Sequence, residues 1–177
     1  MEQYYEEAYL DYLIHFHASR DYFECHEIME EHWLAHERDV KWLTLIQLAV
    51  AVYHERQCNW SGSLRLYERT LTHLTNHPQI LIDLGIDEYI LLEHVKERIR
   101  RVKNREAYEP FNLPLTDDEL IRQCRERANS LQLTWLSEDS QDEDNPLVYK
   151  HKQRDRSEVI QARQEALFKK QKERERR

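Results

Sequence analysis

Four carboxylates, two histidines and a cysteine crowd into the twelve residues "YFECHEIMEEHW", Tyr22 to Trp33. Imidazole beside carboxylate is the donor set of zinc- and iron-type sites, and of a histidine poised for acid–base work. On a helix, at roughly 100° per residue, Tyr22, Cys25, His26, Met29 and Trp33 share one face. Glu24, Glu27 and Glu31 fall opposite, and Glu30 stands one turn from His26. Two familiar motifs fail here. H-E-x-x-H needs a second histidine where Glu30 stands, and the E-x-x-H of carboxylate-bridged di-iron bundles does not occur in this stretch. The pairs His32/His36 and His73/His77 have i,i+4 spacing, which chance supplies readily among ten histidines.

A second polar set lies downstream. Gln47 interrupts the apolar run "WLTLIQLAVAVY" from Trp42, and His54 follows seven residues later on nearly the same face. A buried amide costs on the order of 1–3 kcal/mol unless it is hydrogen-bonded. If the two helices pack antiparallel, His26 and Glu30 face Gln47 and His54. Two readings follow. One is a hydrogen-bonded layer that fixes helix register. The other is a metal or acid–base pocket drawn from Glu24, His26, Glu27, Glu30 and His54, with His26, Glu27, Glu30 and His54 as the metal candidates.

The elements that must position these groups are helical. Two glycines and four prolines in 177 residues leave little punctuation for strands and tight turns. Periodicity predicts helices over 2–19, 22–36, 40–57, 62–76 and 88–105, and a sixth over 117–132. Asp21 and Asp87 stand where helix caps belong, "TDDE" at 116–119 has the form of a capping box, and Asn59 is a turn or cap residue. The fifth helix is expected to bury Ile90, Leu91, Val95, Ile99 and Val102. The expected architecture is an all-α compact bundle over 1–105. Residues 106–136 read as a linker, marked by Pro110 and Pro114, plus the sixth helix. Residues 137–177 read as an acidic spacer and a charged helical tail.

Charge is uneven. Residues 150–177 hold 11 Lys/Arg against 5 Asp/Glu, a net of +6, whereas the whole chain is −8 and the remainder therefore −14. A basic tail on an acidic body suits a protein partner recruited through residues 147–177. Nucleic acid fits poorly, because glutamates interleave the basic residues. The longest apolar run has 12 residues, too short to span a bilayer. The acidic, aromatic start is unlike a signal peptide. Three cysteines without a C-x-x-C pair fit reduced thiols in a cytoplasmic protein. No P-loop, Rossmann glycine pattern or G-x-S-x-G is present.

Four separated segments, "YFECHEIMEEHW", "LIQLAVAVYH", "NWSGSLRLYERTL" and "LGID", together resemble the DUF309 family of small bacterial and archaeal helical proteins. The matching positions are Phe23, Glu24, His26, Glu27, Glu30 and Trp33; Leu45, Ile46, Gln47 and His54; Asn59 and Gly62; and Gly85, Ile86 and Asp87. Ser63 departs by standing in place of the usual alanine. The match covers roughly residues 12–100. It implies a compact helical bundle and supplies no activity, cofactor or catalytic residue. Two function classes stay open: a non-enzymatic protein-interaction module, and a metal-dependent hydrolase or metal-binding protein using the His/Glu pocket.

Overall fold

The computed structural model describes residues 5–138, together with Phe168 and Lys172. The acidic spacer beyond Glu138 and the basic tail therefore lie outside the described residues, those two positions excepted. Six helices follow in order: α1 (Glu7–Ile14), α2 (Tyr22–Ala35), α3 (Val40–Arg56), α4 (Trp60–Asn76), α5 (Glu88–Lys103) and α6 (Asp118–Ser130). A π-helical turn, His15–Ser19, extends α1, and a 3-10 turn, Ile82–Leu84, precedes α5. Among the described residues there is no strand, only an isolated bridge between Ile86 and Leu115. The all-α bundle expected from the sequence is the fold observed.

Side-chain caps set the helix starts. Asp21 accepts from the Glu24 N–H at 3.0 Å, Asn59 from Gly62 at 3.2 Å, and Asp87 from Ile90 at 3.0 Å. These bonds satisfy amides that have no partner inside their own helix. The Asn59 cap places the start of α4 at Trp60, two residues before the expected Gly62. At α6 the cap is Asp117, one residue beyond the predicted threonine. Glu6 is extended and α1 begins at Glu7; residues 2–4 of the expected helix lie outside the described residues.

Neighbours in sequence pack as neighbours in space: α1 on α2, α2 on α3, α3 on α4 and α4 on α5, while α6 returns to α1. Arg127 of α6 pairs with Asp11 at 3.1 Å and with Glu7. α3 is the central element, with Leu45, Leu48, Ala49, Ala51 and Val52 buried. α5 meets the bundle along Leu91, Val95, Arg98 and Val102, a stripe of four- and three-residue steps. Ile90 lies one position off that stripe and is exposed, contrary to the expectation of burial. Ile99 is half-buried at its edge.

Gly85 sits at φ +68°, a left-handed conformation that costs glycine little. An added Cβ there would press on Asp117 and Tyr5 at 3.1 Å. The turn is tied down by Asp87 N–H to Pro114 O at 2.9 Å and Thr116 N–H to Gly85 O at 2.8 Å. The segment between α5 and α6, which its prolines mark as a linker, contributes buried Tyr108, Phe111 and Leu113 to the core. Ser137, first residue of the expected spacer, is fastened to the π-turn: its N–H donates to His17 O at 3.1 Å and its hydroxyl to Ala18 O. No described helix is long and apolar enough to cross a membrane, and the three cysteines are unpaired.

Candidate functional site

α2 and α3 run antiparallel, and α4 closes over them. Between the three lies a cavity of about 470 Å³. α2 contributes Phe23, His26, Glu30 and Trp33; α3 contributes Ile46, Gln47, Val50, Tyr53 and His54; α4 contributes Arg65, Leu66 and Arg69. The size and the mix of aromatic and polar lining match a ligand site. Arg65 and Arg69 are exposed, so the cavity opens along α4.

The polar set picked out in the sequence is partly brought together. His26, Glu30, Gln47 and His54 all line the cavity, although they come from two helices. His26 is 6% exposed, and its Nε2 lies 2.5 Å from Glu30 Oε2. Phe23 flanks the imidazole, ring centroids 5.7 Å apart. Glu27 approaches the other ring nitrogen, Nδ1, only to 3.7 Å. Neither Glu27 nor Glu24 is among the lining residues.

Asn59 sits behind the cavity and acts in two directions. Its Oδ1 caps α4, and its Nδ2 donates to His54 Nδ1 at 3.1 Å. A Cβ on Gly62 would stand 2.7 Å from that same Nδ2, so a glycine there leaves the amide its place. Because the amide nitrogen can only donate, neutral His54 carries its proton on Nε2. Burial pushes the His54 pKa down, and the charges of Arg65 and His26 push it further in the same direction. His54 is thus a neutral donor at pH 7.

Several polar atoms in the wall are unsatisfied. Gln47 Oε1 and Trp33 Nε1 are buried and have no hydrogen-bond partner. Arg65 and Arg69 form no ion pair with any described residue. Buried polar groups are ordinarily paired, so unpaired ones gathered in one cavity call for a partner from outside. The two arginines escaped the reading of the sequence. Their signal was a like-charge i,i+4 pair on α4, an arrangement that by itself weakens a helix.

Ser63, where the family pattern has alanine, is accommodated in the core. Its hydroxyl donates to Ala51 O at 2.8 Å across the α3–α4 contact.

A family model described as "Domain of unknown function (DUF309)" matches residues 9–66. An uncharacterized protein of Bacillus subtilis (strain 168), YpuF, is 38% identical over 174 residues, covering 97% of this chain and 99% of its own length. No solved structure matches the chain.

Proposed function

The chain belongs to the DUF309 family, and on that premise we propose that it is a non-enzymatic interaction module whose α2–α3–α4 cavity receives an apolar side chain carrying or adjoining a carboxylate. The observation that carries this reading is a pair of buried, unsatisfied atoms in the cavity wall, Trp33 Nε1 and Gln47 Oε1, beside two exposed arginines at its mouth. Arg65, Arg69, the Trp33 indole N–H and His54 Nε2 are all donors, gathered around an aromatic floor. Guanidinium groups bind carboxylates through strong, charge-assisted hydrogen bonds. Gln47 Oε1 is available to a peptide N–H. Glu30 would repel an anion, but its carboxylate lies against His26. The reading takes a cytoplasmic setting, supported by three free thiols, and a protein partner. Contacts through residues 147–177 are part of the same proposal, supported by that segment's net charge alone.

A minimal probe is N-acetylphenylalanine, compared with its uncharged amide. With about 15 heavy atoms at roughly −0.3 kcal/mol each, the acid should bind with a Kd on the order of 1 mM. Calorimetric titration should show binding of the acid, little or none of the amide, and loss of the difference in an Arg65→Gln/Arg69→Gln protein. Equal binding of acid and amide would contradict the carboxylate assignment.

One observation favours a second reading. The His26–Glu30 contact shares its cavity with His54, which motivates metal-assisted hydrolysis drawing on His26, Glu30, His54 and Glu27, although no three of these donors come within 4.8 Å of one another. On that reading His54→Ala or Glu27→Gln removes a stoichiometric zinc, iron or manganese ion from protein purified without an affinity tag. A metal content unchanged by either substitution contradicts it.

A further inference from the structure

Glu6, His32 and His36 converge at the C-terminal end of α2, and none of the three lines the cavity. One donor atom from each lies within 4.8 Å of the other two, the one such trio of His, Cys, Asp and Glu among the described residues. We propose that Glu6, His32 and His36 form a binding site for a divalent transition metal of the zinc class. It is independent of the carboxylate reading of the α2–α3–α4 cavity.

The donor chemistry is right. Two imidazoles and one carboxylate are a zinc set that leaves a fourth position for water or a ligand. The rings are also positioned. His36 Nδ1 meets His32 O at 2.9 Å. A carbonyl can only accept, so this nitrogen carries the proton and Nε2 keeps the lone pair. The His32 and His36 rings stack with centroids 3.9 Å apart, and Trp42 meets His32 edge-on at 4.6 Å.

A second observation points the same way. The His32 side chain is 9% exposed, and its Nε2 lies 2.5 Å from Glu6 Oε2. Yet that nitrogen is buried without a well-directed hydrogen bond. A ring nitrogen and a carboxylate oxygen held this close are placed to share one cation. Bonds of about 2.1 Å in tetrahedral geometry put donors roughly 3.4 Å apart, so the pair need open by about 1 Å. The site also lies at the C-terminus of α2, where the helix dipole favours a cation. The nearby Lys41 ammonium is turned to Asp39, at 4.0 Å, and to the face of Trp42. A bound metal would staple Glu6, ahead of α1, to the last turn of α2.

Zinc chloride is titrated calorimetrically into untagged, chelator-stripped full-length protein, and Co2+ absorption reports the coordination geometry. The expected result is one Zn2+ per chain, tetrahedral Co2+ bands and a raised melting temperature. His36→Ala and Glu6→Gln alter exposed side chains and should leave the fold intact. Each should weaken binding by at least about tenfold, the floor set by loss of even a supporting contact at a metal site. His73→Ala/His77→Ala and His54→Ala should leave binding unchanged. The proposal is overturned if no saturable one-per-chain binding occurs. It is equally overturned if such binding survives both His36→Ala and Glu6→Gln.

Discussion

Two polar regions of the bundle invite comparison: the cavity between α2, α3 and α4, and the network joining α3 to α5 and to the segment before α6. In the second, each buried charged side chain meets at least one partner within the protein. Glu55 is fully buried; it accepts from Tyr67 Oη at 2.6 Å and from Arg98 Nη1 at 2.9 Å. Arg98 also donates to Pro110 O at 2.9 Å and lies over the Phe111 ring. Arg20, at φ +56°, donates to Phe16 O, Phe111 O, Asn112 Oδ1 and Ser137 O. Arg56 Nη1 donates to Arg20 O at 2.8 Å. His17 donates from Nδ1 to Leu13 O and accepts at Nε2 from Leu113 N–H, both at 2.9 Å. In the cavity, by contrast, the buried Trp33 Nε1 and Gln47 Oε1 lack partners, and two exposed arginines stand at its mouth. A closed polar network fixes where segments sit. An open one has capacity left for something else. Sequence patterns that look alike, charged and aromatic residues on amphipathic helices, serve opposite ends in the two regions.

The comparison breaks most readily at Arg98. Replacing it by alanine leaves the Glu55 charge buried without its cation, which should cost roughly 3–5 kcal/mol. Urea denaturation of Arg98→Ala measures this, and a loss below about 1 kcal/mol would place the network among ornamental surface pairs.

The next effect is in pH. Burial holds the His17 pKa at about 3, against its ordinary 6.5. The unfolded chain therefore binds a proton that the folded chain refuses. The stability tied to His17 is fully present above pH 6.5 and is lost as pH falls from there toward 3, by about 1.4 kcal/mol per pH unit. His17→Gln should flatten the denaturation profile by that slope between pH 6 and pH 4. An imidazole resonance from His17 that titrates near 6.5 would refute the assignment.

The smallest expected effect sharpens the contrast. Arg65→Gln/Arg69→Gln removes two exposed charges that hold nothing in place, so stability should change by less than about 0.5 kcal/mol per site. A large loss in urea denaturation would move the cavity into the structural class.

Much of the fold was readable because its signals are local. Asp21, Asn59 and Asp87 cap helices through bonds that span three residues of sequence. Periodicity placed His26 and Cys25 on the buried face of α2. What escaped is long-range. The acceptors of the Arg20 side chain lie 91 to 117 residues away, apart from Phe16, and Glu55 meets Arg98 across 43. Nothing in a helical stripe distinguishes a charged residue that will be buried and paired from one that will face water. The prolines at 110 and 114 signalled irregular backbone, which is correct locally. They could not signal that Phe111 would stand under Arg98 and beside Tyr67. For the cavity, α2 and α3 were legible as facing partners. The α4 wall was not, because Arg65 and Arg69 acquire meaning only once α4 is laid across the other two.

The Trp33 indole N–H offers the most direct test of the difference between the two regions. It is a buried donor in the cavity wall with no partner, and it gives its own resonance in a proton–nitrogen correlation spectrum. Titrating N-acetylphenylalanine should shift that resonance progressively, together with the side-chain amide of Gln47. The backbone amides around Glu55, Arg98 and Arg20 should stay where they are, and Arg65→Gln/Arg69→Gln should suppress the Trp33 shift. No movement of the Trp33 indole at saturating ligand, or shifts of equal size in the closed network, would contradict the account.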